Sequence, residues 1–199
     1  MTNINIDYNH LMNLVGIYGP SGSGKTTLQT RLLNCRPEKF VRVILDTDRP
    51  IRRDTHGKEI EFEGQDYHFV TPKEFASKRY LFVTTHGDRN YGVPRESEAV
   101  QEIAQPTSQK IGIIVGGRKL MEKMQKEGGY NLFFIQILLG IDSIRSGMFK
   151  RGDQFHDVLE RIRDIYNQEV GVGPSMRVTQ GYSIAEINEA ILSHYSLCQ

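Results

Sequence analysis

The chain has 199 residues, with 25 Lys and Arg against 24 Asp and Glu, for a formal net charge of +1. That length suits one domain with small insertions and leaves little room for two separate cores. The balanced charge removes any general pull toward nucleic acid or membrane, so a basic site must be local. Cys35 and Cys198, the only 2 cysteines, have neither CxxC nor Cys/His spacing, which argues against a disulfide framework or a zinc site.

Residues 1–12 form a polar lead-in without the apolar core of a signal peptide. The longest apolar stretch, Leu132 to Ile141, is interrupted by Gln136 and too short to cross a bilayer. A soluble protein in a reduced, cytoplasmic setting is therefore expected, with no membrane partner. The apolar run Leu14–Tyr18 then leads into Gly19-Pro20-Ser21-Gly22-Ser23-Gly24-Lys25-Thr26-Thr27, followed by a helical stretch to Leu33. This fits G-x-x-x-x-G-K-[ST] in the strand–loop–helix setting the motif requires. Its glycines permit a tight turn that exposes successive N–H groups, and the helix adds the positive end of its dipole at the same place. ATP and Mg²⁺ are the cofactors this implies: residues 19–27 bind ATP, Lys25 reaches the β/γ-phosphates, and Thr26 is the metal ligand.

Arg36-Pro37 ends the first helix, because proline disfavours helical backbone in the residue before it. Phe40 to Leu45 reads as a second strand ending at Asp46-Thr47-Asp48-Arg49-Pro50, and strand ends are where open α/β sheets place their chemistry. The charged stretch from Arg52 to Tyr67 contains Gly57 and Gly64 around the alternating Glu59-Ile60-Glu61-Phe62, which reads as a hairpin continuing into Tyr67–Val70. Thr71-Pro72-Lys73-Glu74 opens a helix through Ser77. Tyr80 to Thr85 is a strand, followed by a turn at His86-Gly87-Asp88 and a polar loop to Gly92. Glu96–Ala104 is helical, Lys110–Val115 a strand, and Arg118–Glu127 a helix stopped by Gly128-Gly129. The very hydrophobic run Asn131–Leu139 reads as a buried parallel strand beside the first one. Two helices, Ile141–Met148 and Phe155–Val170, precede a strand at Met176–Thr179 and a helix from Ser183 to Tyr195.

The ordered signals resemble the guanylate kinase family. They are the P-loop Gly19 to Thr26, the pair Arg49 and Arg52, Asp66-Tyr67-His68-Phe69-Val70 before Glu74-Phe75, Tyr91-Gly92, and Arg151-Gly152 ahead of a helix bearing Arg161. The resemblance covers about residues 13–197. It implies an α/β, P-loop NTPase-type parallel sheet flanked by helices, with a small inserted mixed α/β subdomain and a helical lid. It also implies one domain over residues 1–199: a core of 13–46, 99–141 and 167–199, a monophosphate-binding subdomain of about 47–98, and a lid of about 142–166. The implied activity is transfer of the ATP γ-phosphoryl to a nucleoside monophosphate such as GMP or dGMP. Arg49, Arg52, Tyr67 and Tyr91 would hold the acceptor's phosphate, and Arg151 and Arg161 would close over the γ-phosphate as catalytic cations beside Lys25.

Three positions depart from the family pattern. Leu45 stands where a serine is usual, Phe82 where a glutamate grips the base, and Val93 where a Ser or Thr is usual. Phe82 and Val93 are thus expected to give the acceptor pocket an apolar wall, and an acceptor other than GMP is expected. The strand ending at Gly116-Gly117 also lacks the usual Asp-x-Asp. Asp46 and Asp48 support a second reading, in which a catalytic carboxylate deprotonates a hydroxyl acceptor on a small molecule or a modified DNA base. Only in that reading does nucleic acid become a substrate. A third reading is a non-catalytic guanylate-kinase-like binding module. Sequence leaves the oligomeric state open.

Overall fold

A computed structural model describes residues 11–54, 56–138, 173–179 and 181–196. The expected helices at 141–148 and 155–170, and with them the lid, lie outside the described residues.

Strand β1 (Met12–Tyr18) runs into the glycine-rich loop and helix α1 (Lys25–Cys35). It pairs in parallel with β7 (Ile111–Val115) on one side and β8 (Tyr130–Ile137) on the other. The edges are β2 (Phe40–Val43), paired with β7, and β9 (Met176–Val178), paired with β8. The five-stranded sheet thus has the order β2-β7-β1-β8-β9. Successive side chains of a strand face opposite sides, and both sides of β1 are used. Met12, Leu14 and Tyr18 pack into one core cluster with Val100, Leu120, Met121 and Phe134. Val15 and Ile17 pack into another with Leu28, Leu32, Ile187 and Ile191. The first cluster gathers α3 (Glu98–Ile103) and α4 (Arg118–Glu127), the second α1 and the closing helix α5 (Ile184–Ser196).

Between β2 and α3 the chain builds a second, mixed sheet from β3 (Asp46–Thr47), β4 (His68–Phe69), β5 (Tyr80–His86) and β6 (Arg89–Pro94), in the order β4-β3-β6-β5. The second strand expected to Leu45 is therefore two: β2 leaves the parallel sheet at Val43, and β3 joins the mixed sheet at Asp46. β6 replaces the expected polar loop, because β3 and β5 both pair with it antiparallel and supply partners for its main chain. The expected hairpin survives as isolated bridges, Arg53 to Glu59 and Glu63 to Tyr67. Helix α2 (Pro72–Ser77) begins as expected. Thr71 Oγ1 accepts from the Glu74 N–H at 3.2 Å, and the Glu74 carboxylate accepts from the Thr71 N–H at 2.7 Å.

Candidate active site

The glycine-rich loop turns at Gly22 and Gly24, whose φ angles of 80° and 83° are left-handed. Gly24 is also the N-cap of α1 and offers no side chain to the helix end. The first-turn N–H groups of Thr26 and Thr27 have no intrahelical acceptor, and both residues are exposed. Lys25 Nζ donates to the carbonyls of Gly19 at 3.0 Å and Pro20 at 2.7 Å, which folds the ammonium back over the loop. Ser23 Oγ is buried without a hydrogen-bond partner. An uncapped helix end, an ammonium and a buried orphan hydroxyl on one loop fit a polyphosphate. From β7, Gln29 Nε2 receives its acceptor, the Ile113 carbonyl, at 2.9 Å, which ties α1 to the sheet below.

Thr26 is the residue of this loop that would hold Mg²⁺. At the C-terminal end of β7 stand Ile114, Val115, Gly116 and Gly117, and among the described residues no group of three or more His, Cys, Asp or Glu is arranged to hold a metal.

The second cationic cluster sits on the mixed sheet. The turn after β3 is fastened by Thr47 Oγ1, which donates to the Asn90 carbonyl at 2.9 Å and accepts the Arg49 N–H at 3.4 Å. Arg49 then lies 4.9 Å from the Tyr67 ring centroid and 5.4 Å from that of Phe69, with Tyr67 edge-on to Tyr91 at 5.8 Å. The structure thus brings Arg49, Tyr67 and Tyr91 together. Both Nη atoms of Arg49 donate to the Glu61 carboxylate at 2.6 Å, in a pair whose side chains are only 8% and 11% exposed. The Arg52 N–H donates to the same carboxylate at 3.0 Å, and its guanidinium approaches it at 3.5 Å. Burial alone lowers the Arg49 pKa, but the hydrogen bonds and charge of Glu61 outweigh it and hold it above its ordinary value. Burial likewise raises Glu61, and the donors from Arg49 and Arg52 outweigh it and leave the carboxyl below the ordinary range. Burial pushes the Tyr67 phenol up.

Sequence reasoning missed Glu61. Its only signal was an acid within reach of Arg49 on the alternating stretch 59–62, read there as strand periodicity alone.

Phe82 and Val93 are not brought to an open pocket. They are 1% and 0% exposed, with Leu45 at 3%, because the β5–β6 pairing turns them into the core, where Phe82 packs on Tyr130 at 4.7 Å. The apolar wall expected around an acceptor is thus core packing in this conformation.

Neither aspartate of the second reading joins Arg49. Asp46 lies opposite Gly92 while Thr47 lies opposite Tyr91, so strand alternation sends Asp46 to the other face of the mixed sheet. There its Oδ2 accepts from Lys78 Nζ at 2.8 Å and the Tyr80 hydroxyl at 3.1 Å, while Oδ1 is buried without a partner. Burial first, then the charge and hydrogen bond of Asp46, raise the Tyr80 pKa. Gly92 lets that ring lie flat against the strand, since a Cβ there would meet it at 2.5 Å. Asp48 accepts from the Asn90 N–H at 2.7 Å and from its Nδ2 at 2.5 Å, holding β3 to β6. Arg151 and Arg161 lie outside the described residues.

A small cleft of about 40 Å³, open to solvent, has Thr26 and Gln29 of α1, Arg42 and Leu45, and Gln65 and Tyr67 in its walls.

A parallel sheet whose central strand delivers a P-loop to a helix, with a mixed sheet carrying an arginine–tyrosine cluster inserted after β2, defines a P-loop NTPase-type fold. The family model for guanylate kinase matches residues 11–114, more than half of the chain. The chain belongs to the guanylate kinase family. It is 36% identical over 96 residues to the guanylate kinase of Maricaulis maris, covering 45% of this chain and 40% of that relative. It is 28% identical over 163 residues to that of Salinibacter ruber, covering 79% and 81%. The crystal structure of the guanylate kinase from Anaplasma phagocytophilum shares the fold, with a TM-score of 0.59 at 18% identity, over 95% of this chain and 87% of that one.

Proposed function

We propose that the protein is an ATP- and Mg²⁺-dependent nucleoside monophosphate kinase whose acceptor carries something other than an ordinary guanine. The observation that supports it most is the presence in one fold of an intact phosphate loop and a preassembled arginine–tyrosine cluster, with Thr26 and Tyr67 lining one cleft. Phosphoryl transfer needs little covalent help from the protein. It needs in-line placement and positive charge on both sides of the group in transit.

In this reading the loop amides and Lys25 hold the donor's phosphates, and Lys25 leaves the Gly19 and Pro20 carbonyls to do so. Arg49, Arg52, Tyr67 and Tyr91 hold the acceptor's phosphate, with Glu61 orienting the Arg49 guanidinium. Thr26 would hold a Mg²⁺ ion, which would supply charge compensation for the donor's phosphates. Arg151 and Arg161 are proposed as the cations that close over the transferred group.

Leu45, Phe82 and Val93 stand where the resemblance calls for polar side chains, and all three are packed in the core, so none offers a guanine edge a polar partner. A site without polar side chains at those places would leave the guanine edge unsatisfied, at about 1–3 kcal/mol per lost partner. A panel of ribo- and deoxynucleoside monophosphates, including base-modified ones, in a coupled ADP-release assay tests this. Turnover of a non-guanine or modified monophosphate exceeding that of GMP is expected, and efficient, selective turnover of GMP overturns the base assignment. No turnover with any acceptor, with ATP affinity retained, overturns the kinase assignment and favours a binding module.

A further inference from the structure

Arg42 is a charge where a parallel sheet covered by a helix ordinarily carries an apolar residue. It pairs with Ile113 on the edge strand β2 and is half-buried. Ion pairs engage Arg49, Arg52 and Arg53 nearby in sequence, whereas Arg42 has only neutral acceptors among the described residues. Its Nη2 donates to Thr30 Oγ1, on the second turn of α1, at 3.0 Å, and its Nη1 donates to the Gln65 carbonyl at 3.2 Å.

The Gln65 end of that bridge is knotted by local hydrogen bonds. The N–H groups of Gln65 and Asp66 donate to the Phe62 carbonyl at 3.2 and 3.0 Å, the Phe62 N–H donates to Asp66 Oδ2 at 2.9 Å, and the Gly64 N–H donates to the Tyr67 carbonyl at 2.9 Å. This knot lies directly between Glu61 and Tyr67, the two residues that flank Arg49. A guanidinium that holds the knot to α1 therefore sets where the Arg49 cluster stands relative to the phosphate loop. Its planar fork reaches two acceptors in different directions, which a single ammonium does not reproduce.

We propose that Arg42 is a positioning residue, a strut from the P-loop helix to the 62–67 knot that sets the gap between the donor cradle and the acceptor clamp. The role in turnover rests on the kinase reading above. The strut itself does not.

Three variants test it: Arg42→Met, Arg42→Lys and Thr30→Val. In Arg42→Met the KM of the best monophosphate in the panel is expected to rise about tenfold or more, as misplacement of a held group by an ångström allows. ATP affinity, titrated with a fluorescent analogue, is expected to stay within about twofold, because the two residues that Arg42 bridges, Thr30 and Gln65, lie outside the loop. Arg42→Lys should not restore the KM. Thr30→Val should give part of the change, and its effect should not add to that of Arg42→Met. An unchanged acceptor KM, an equal loss of ATP affinity, or full additivity overturns the proposal. Hydrogen exchange supplies a readout without turnover: amides of 62–67 should exchange faster in Arg42→Met and Thr30→Val, while those of β1 and β8 do not change. Unaltered exchange at 62–67 overturns the strut even if no monophosphate is a substrate.

Discussion

The phosphate loop and the Arg49 cluster both concentrate positive charge on one side of the cleft, from different materials. The loop uses main-chain amides, a helix end and Lys25, all within nine consecutive residues. The cluster uses side chains from β3, the 52–67 stretch, β4 and β6, and carries its own counterion in Glu61. A main-chain site keeps its shape because local backbone geometry specifies it. A side-chain site has to be held by packing and charge pairs, so its removal should damage the fold as well as the chemistry.

Substitution of Lys25 should separate the two most sharply. Lys25→Met is expected to lower turnover by about 100-fold or more while thermal stability stays nearly constant, since the ammonium donates to loop carbonyls at the surface of the fold's core. A melting temperature that fell along with turnover would break the contrast.

Arg49→Ala should do both kinds of damage. It leaves the nearly dry Glu61 carboxylate to Arg52 alone, for which a loss of about 3 kcal/mol in unfolding free energy is expected, together with loss of acceptor affinity. Replacing both members of the pair, as Arg49→Leu with Glu61→Leu, should recover much of the stability and none of the acceptor affinity. Denaturant unfolding and acceptor titration, run side by side, read the two effects separately.

The same pair predicts a pH dependence. The carboxyl of Glu61 has its folded pKa depressed, so its contribution to stability is present above the unfolded value of about 4.3 and is lost as pH falls through the folded value. Wild type should therefore lose stability more steeply than Glu61→Gln on acidification below about pH 4, with parallel curves near neutrality. Identical curves across that window would show that the carboxylate contributes nothing.

Asp46→Asn is expected to have the smallest effect. It weakens a tie to Lys78 and Tyr80 on the far face of the mixed sheet, worth about 1 kcal/mol because Lys78 is partly in water, and turnover should stay within a few-fold. A collapse of turnover with ATP affinity intact would instead favour a hydroxyl acceptor with Asp46 as base.

The phosphate loop, the parallel strands around it and the start of α2 at Thr71-Pro72 were legible in the residues, because each rests on neighbours in sequence. The cluster was legible only in part. Arg49, Arg52, Tyr67 and Tyr91 stood out as cations and hydroxyls, yet Glu61 read as one acid among many and Asn90 as part of a loop. Their roles arise when β6 pairs with β3 and the 52–67 stretch folds over Arg49. Phe82 and Val93 were recognisable as apolar replacements, but which way they face depended on the β5–β6 register.

Sequence alone thus determined where a polyphosphate can be gripped, because a glycine-permitted turn and a helix start are properties of consecutive residues. Tertiary structure alone decided which carboxylate neutralises Arg49, which face Asp46 takes, and which arginine bridges α1 to the hairpin knot. Those pairings join residues 12 to 34 positions apart, and only strand register and packing bring such partners within hydrogen-bond reach.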